Sequence, residues 1–278
     1  MTTSPSPGLY IVATPIGNLS DMTPRAADLL INADMVLCED KRVTAKLMHH
    51  IGAHTPLRRY DDHSSDGDRE SILGMLGDKV VALVSDAGTP LISDPGYKLV
   101  RAARAAGYEV YTLPGPSAAI AALTLSGLPT DRFLFAGFLP SKQKARRDAI
   151  AELAAVRTSL VLYESGPRLG ACLADLAELL PGRDGAVSRE ITKLHEETVT
   201  GTLAELAERY ADGGPKGEIV IVIGPPPSPE AASDDDLDAA IDLALQDLSP
   251  SRAAAKVAGD LNIPRKRAYA RALERAKS

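Results

Sequence analysis

Short apolar runs alternate with helical patterns along the first half of the chain. Residues 9–13, 35–38, 80–84 and 109–113 read as strands. Residues 24–33, 41–50, 66–76, 97–106 and 118–125 read as helices. Thr23 is a good N-cap for the first of these, with Pro24 suited to its first turn, and Gly107 marks a helix end. The run at 80–84 is apolar throughout, as expected of a strand buried on both faces. This alternation predicts a mostly parallel sheet covered by helices.

After Leu128-Pro129 the pattern shifts. Strands are expected at 133–138, 159–163, 186–189, 197–201 and 218–223, with helices at 143–155, 169–180 and 203–210, which suggests a mixed sheet. The chain therefore divides into an N-terminal α/β domain (8–128), a C-terminal α/β domain (131–224), a Pro-rich linker (225–233) and a helical extension (234–278). Within the extension, 251–261 and 264–277 read as two short helices resembling a helix-turn-helix hairpin. Residues 226–248 hold seven acidic and no basic side chains, whereas 249–278 hold eight basic against two acidic. Either the hairpin reads nucleic acid, or its charges offset the acidic stretch before it.

Five segments at the carboxyl ends of strands carry the candidate chemistry: TPIGN (14–18), CEDKR (38–42), SDAGTPLISDPG (85–96), PGPSAA (114–119) and YESGPR (163–168). Ligands of open α/β sheets bind at those ends. The twelve-residue third segment is either a ligand loop or a long rigid turn. TPIGN lacks the G-x-G-x-x-G pattern, so a dinucleotide reading fails. Glu39 and Asp40 either handle a proton or open a helix. Tyr163 offers an aromatic face and Glu164 a carboxylate, and Ser117 is also a good N-cap. Lys142, Lys144, Arg146 and Arg147 serve either phosphate contact or solvation.

Composition narrows the classes. The 278 residues carry a formal net charge of -6, which excludes coating nucleic acid by bulk charge but allows local basic patches. Aromatic residues make up 4% and Trp is absent, so the core rests on aliphatic side chains. Cys38 and Cys172 read as buried thiols of a reducing compartment. Neither cysteine nor histidine spacing suggests a metal site. With no signal-peptide pattern and no apolar run near the roughly 18 residues of a membrane span, a soluble cytoplasmic protein is expected.

In order, TPIGN, ED-x-R, VSDAGTPLISDPG, PGPSAA, GFLP-x-K, YES, RE-x-TK-x-HEE and KGE resemble the motif series of the ribosomal RNA small subunit methyltransferase I family, a branch of the tetrapyrrole methylase superfamily. The resemblance covers residues 8–224, and the tail is similar to the helical extension of many members. It implies a two-domain α/β methylase fold with S-adenosyl-L-methionine between the domains. It also implies a homodimer that methylates the ribose 2′-oxygen of a cytidine in the decoding region of 16S rRNA, within the small ribosomal subunit. Carried over onto this sequence, cofactor contacts fall to Pro15, Gly17, Asp86, Ala87, Gly88, Thr89, Pro90, Gly115, Ser117, Tyr163 and Glu218. Glu39, Asp40 and Glu164 are the candidate catalytic carboxylates. Arg42, Lys142, Arg146, Arg147, Arg189 and Lys193 are the candidate RNA-phosphate contacts. Two positions depart from the family pattern: Lys41 stands where Thr is usual, and Pro167 where many members have His. Two other readings share these loops: a methylase of a small tetrapyrrole-like molecule, and a non-catalytic rRNA-binding assembly factor.

Overall fold

The computed structural model describes residues 5–227 except 62 and 216, and residues 234–276 except 262. Lys216 of the KGE motif, most of the 225–233 linker and Lys277 lie outside the described residues.

The apolar runs of the first half form one parallel sheet. Its strands are β1 (Gly8–Val12), β2 (Met35–Cys38), β3 (Leu57–Arg59), β4 (Val80–Leu83) and β5 (Val110–Leu113), in the order β3-β2-β4-β1-β5. Side-chain alternation along β1 explains the layers. Tyr10 and Val12 enter a core with α1 (Pro24–Asn32) and α2 (Lys41–His50). Leu9 enters the opposite core with α3 (Asp66–Leu73) and α4 (Tyr97–Ala105). Thr23 caps α1 by accepting from the Ala26 amide, and Pro24 occupies its first turn.

The second sheet is mixed. Its strands are β6 (Phe133–Phe138), β7 (Ser159–Ser165), β8 (Asp184–Arg189), β9 (Glu197–Thr202) and β10 (Glu218–Ile223), in the order β6-β7-β10-β8-β9. Only the β6–β7 pair is parallel. One face packs on α6 (Gln143–Ala154), α7 (Gly166–Leu179) and α8 (Leu203–Arg209) through Leu160, Leu162, Ile219 and Ile221. The other face holds α5 (Ala118–Leu125) through Val161, Val220 and Val222, with Ile16 in the same cluster. Helix α5 precedes the junction expected at 128–131, yet it packs on the second sheet. Met1–Pro225 accordingly forms one compact unit containing both sheets.

Pro226–Ser278 is a second unit. Its helices α9 (Asp234–Leu245), α10 (Pro250–Asp260) and α11 (Arg265–Arg275) enclose Leu237, Ile241, Ala254, Val257 and Ala268. Pro264 caps α11 and is not its first helical residue. Helices α9 and α11 are joined by a ladder of ion pairs at four-residue steps. Arg267 donates to Asp234 at 2.8 Å, Arg271 to Asp238 at 2.7 Å and Arg275 to Asp242 at 2.8 Å. Part of the tail's positive charge is thus neutralised inside the unit. Arg271→Ala is expected to lower the thermal midpoint of the C-terminal unit, and high salt to narrow the gap from wild type, measured by calorimetry.

Candidate active site

The loops singled out in the sequence are tied to one another at the carboxyl edge of the first sheet. The Thr14 amide donates to the Gly88 carbonyl at 2.9 Å, and the Gly88 amide returns a bond to Thr14 at 3.1 Å. Gly88 sits at φ 78°, a backbone state few other residues adopt. The Asp40 amide donates to Asp86 Oδ1 at 3.2 Å, joining CEDKR to the long loop. Thr89 Oγ1 donates to the Pro116 carbonyl at 3.0 Å, joining that loop to PGPSAA. From the second sheet, Thr192 Oγ1 accepts from the Asn18 amide at 3.1 Å. Gly17 is fixed by the same approach, because a Cβ there would lie 2.5 Å from Lys193 Cγ. Leu91 and Ser93 of the long loop also hold positive φ, 73° and 66°, as do Glu190 and Thr192 of the loop from the second sheet, 49° and 69°, so backbone strain is stored on both sides.

Three of these loops, TPIGN, the long loop and PGPSAA, help wall a cavity of about 370 Å³ between the two sheets. Asp86, Ala87, Thr89 and Asp94 come from the long loop, Ser117 and Ala118 from the start of α5. Tyr163, Ile191, Glu218 and Val220 come from the second sheet and its loops. Ser117 takes the N-cap position of α5, but its side chain makes no capping bond. Tyr163 stacks edge-on against Phe135 and Phe138, with ring centroids 5.0 and 5.5 Å away. Burial raises the Tyr163 phenol above its ordinary value. Burial also pushes the Asp94 carboxyl up to about 6, with Glu39 and Asp86 adding to the rise and the Ser85 hydroxyl opposing it. An apolar, partly aromatic cavity edged by carboxylates suits a flat ring system carrying positive charge.

The tetrapyrrole (corrin/porphyrin) methylase family matches residues 8–207, and the RsmI C-terminal HTH domain matches residues 231–276. Ribosomal RNA small subunit methyltransferase I of Erythrobacter litoralis is 57% identical over 270 residues, 97% of this chain and 95% of its own length. The chain belongs to the ribosomal RNA small subunit methyltransferase I family. The family's Rickettsia prowazekii protein is 48% identical over 217 residues, 78% of each chain. The crystal structure of diphthine synthase shares the methyltransferase's fold with a TM-score of 0.60 and 14% identity, over 78% of this chain and 89% of that one.

Not every expected site residue of this methyltransferase reaches the cavity. Asp86, Ala87, Thr89, Ser117, Tyr163 and Glu218 line it, whereas Pro15, Gly17, Gly88, Pro90 and Gly115 are not among its wall residues. Pro15 instead borders a smaller hollow beside Asp86 and α2. Gly115 lets the chain pass close to Ala13, where a Cβ would lie 3.0 Å from the Ala13 Cβ.

Of the catalytic candidates Glu164 is among the cavity's wall residues and Glu39 and Asp40 are not, and the carboxylates of Asp40 and Glu164 are already engaged by other groups. Asp40 caps α2 and grips Arg42 with both oxygens, and these bonds hold its carboxyl down at about 2. Strand β7 runs through Ser165, so Glu164 points to the face opposite Tyr163. Its buried carboxylate pairs with Arg168 at 3.1 Å and accepts from the Ser165 amide at 2.8 Å. Burial and the neighbouring Glu164 push the Cys172 thiol beneath it up to about 12. Glu39 lies near enough to Asp94 to raise its proton affinity.

The expected phosphate contacts separate in the same way. Arg146 is buried and donates to Asp175 at 2.7 Å, so it holds α6 to α7 and does not meet solvent. Arg147 is divided between Asp175 and Glu178. Arg189 pairs across the β8–β9 ladder with Glu197 at 2.8 Å. Lys193 bridges Glu218 at 3.0 Å and Glu190 at 3.2 Å, and their attraction outweighs burial to raise its pKa. Arg42 and Lys142 remain exposed. Wall residues absent from the sequence-derived set include Ile16, Ile92, Asp94, Phe138 and Ile191. Asp94 had a signal, since it lies inside the loop already singled out.

Proposed function

We propose that this methyltransferase moves the methyl group of S-adenosyl-L-methionine onto the ribose 2′-oxygen of a cytidine in 16S ribosomal RNA, acting on the small ribosomal subunit in the cytoplasm. The observation that carries the reading is the linkage of four strand-end loops, three of which wall one carboxylate-edged cavity, in a chain 57% identical to a relative named for rRNA methylation. The cavity volume lies within the usual span for small-molecule sites. Its aromatic and aliphatic wall suits a nucleoside, and Asp86 and Asp94 suit a sulfonium cation. Bound S-adenosyl-L-methionine supplies an electrophilic methyl group on its sulfonium.

The protein's own task is alignment and proton handling. Loops locked by hydrogen bonds hold the donor in a fixed place, and such alignment offsets an entropic cost of several kcal/mol in the reaction itself. The ribose hydroxyl must lose its proton as the new C–O bond forms. Among the three candidate carboxylates, Asp40 is held by Arg42 and Glu164 by Arg168, whereas the charge of Glu39 acts on Asp94, and we assign Glu39 to receive or orient that hydroxyl. Mass-spectrometric mapping of 16S RNA from cells with and without this protein tests the reaction. One cytidine is expected to carry a ribose methyl only when the protein is present. Identical maps, with labelled methyl passing instead to a porphyrinogen, would reverse the assignment in favour of a small-molecule methylase.

A further inference from the structure

We propose that the C-terminal unit grips the sugar-phosphate backbone of ribosomal RNA through the outward faces of α10 and α11, with Arg252, Lys256, Arg265 and Lys266 as its phosphate-binding side chains. This rests on ribosomal RNA being the substrate. The assignment works by subtraction. Arg267, Arg271 and Arg275 are engaged by Asp234, Asp238 and Asp242 of α9. Arg252, Lys256, Arg265 and Lys266 are exposed and have no carboxylate within ion-pair distance among the described residues.

Burial shows where these four residues face. On α10, Ala253, Ala254 and Val257 are buried, which leaves Arg252 and Lys256 one turn apart on the opposite side. Ala255 and Gly259 occupy the same outer side, and such small residues let a bulky polyanion come close to the helix. On α11, Ala268 and Ala272 are buried and the arginine ladder faces α9. The helical repeat then puts Lys266, Tyr269 and Leu273 together on the outer face. Tyr269 is 42% exposed, an aromatic ring beside cations, as in surfaces that hold single-stranded nucleic acid. Arg265 and Lys266 open α11, where the helix dipole adds to the positive field.

Charge favours a polyphosphate as the occupant. The chain carries a net charge of -6, so RNA can be held only where positive charge is locally uncompensated. Asp234, Asp235 and Asp236 are exposed at the start of α9, which makes the unit electrically two-sided and disfavours any approach of RNA from the acidic helix. Helix-turn-helix units meet nucleic acid with the second helix of the hairpin, and α11 holds that position here.

The test is a salt series of binding to isolated 16S RNA, using the full chain and its R252Q/K256Q/R265Q/K266Q variant. Each lost phosphate contact reduces the slope of log affinity against log salt by about 0.7–0.9, so a change of about 3 is expected. Unchanged donor affinity and an unchanged thermal melt would show that the variant is folded. A slope change below about 1 overturns the proposal. Loss of binding to intact subunits with an unchanged slope on naked RNA also overturns it, and would assign the face to a ribosomal protein. The methylation map reads the reaction separately, so failure of one assignment is distinguishable from failure of the other.

Discussion

Asp94→Asn is expected to weaken binding of S-adenosyl-L-methionine by about 10–100-fold at neutral pH while leaving the fold intact, a loss of the size measured for bonds to charged groups. Asp94 lines the cavity on a loop held by Thr14, Thr89 and the strained backbone at Leu91 and Ser93. It cannot swing away from a bound ligand without breaking that support. Asn keeps the shape and removes the charge, so the variant isolates electrostatics from packing. Calorimetric titration reads the affinity directly. An unchanged dissociation constant would remove Asp94 from the donor site.

The same residue sets a pH dependence whose sign can be worked out. In the free protein the Asp94 carboxyl titrates at about 6, raised from 3.8 by burial and then by Glu39 and Asp86. Below that pH it is neutral and offers a cation little. Above it the carboxylate is present, and a cationic donor is favoured. Donor affinity should therefore rise through about pH 6, level off above it, and release protons on binding near the midpoint. For the unliganded fold the sign is opposite. The folded chain retains a proton that the unfolded chain has already lost, so this group's contribution to stability falls as pH rises from about 4 through 6. In the Asp94→Asn variant both dependences should flatten. Glu39, Asp86 and Tyr163 act on this carboxyl by charge and Ser85 by a hydrogen bond.

The scaffold of the site was legible in the sequence, and its wall was only partly so. Strands β1, β2 and β4 announce themselves as apolar runs followed by Gly- and Pro-bearing loops, and an open sheet places such loops at one edge. Strand β3 was not legible, since Leu57-Arg58-Arg59 has one apolar residue and no periodicity. Glu164 shows how a small boundary error propagates. A strand read as ending at Tyr163 leaves the next residue in a loop, aimed anywhere. Continued to Ser165, the same strand sends Glu164 under α7. Ile16 and Ile191 become wall residues only because two sheets face each other, which no local pattern encodes. The arginine ladder of the tail joins positions 33 residues apart. Composition hinted at that offset, but only the three-helix arrangement identifies which cations it consumes.

Arg146 presents the sharpest contrast between a sequence motif and its folded environment. In GFLPSKQKARR it looks like one of several phosphate ligands. In the structure its side chain is 6% exposed, and the Asp175 carboxylate it binds is 4% exposed. Truncating one partner of a buried pair leaves an uncompensated charge, and Arg146→Ala is expected to destabilise the fold by about 3 kcal/mol, the lower end of the range for such pairs. The lower end applies because Arg147 still reaches Asp175 at 3.1 Å. For a unit of this size the loss corresponds to a fall in melting temperature of roughly 6–12 °C. Replacing both partners by apolar residues, as in Arg146→Met with Asp175→Leu, should recover most of it, because the stranded charge is then absent. Scanning calorimetry of the wild type, Arg146→Met, Asp175→Leu and the double variant completes the cycle, with Arg146→Ala measured beside it. An Arg146→Ala protein that melted like wild type, yet lost RNA affinity and salt slope, would return Arg146 to the RNA-binding surface and refute the buried pair.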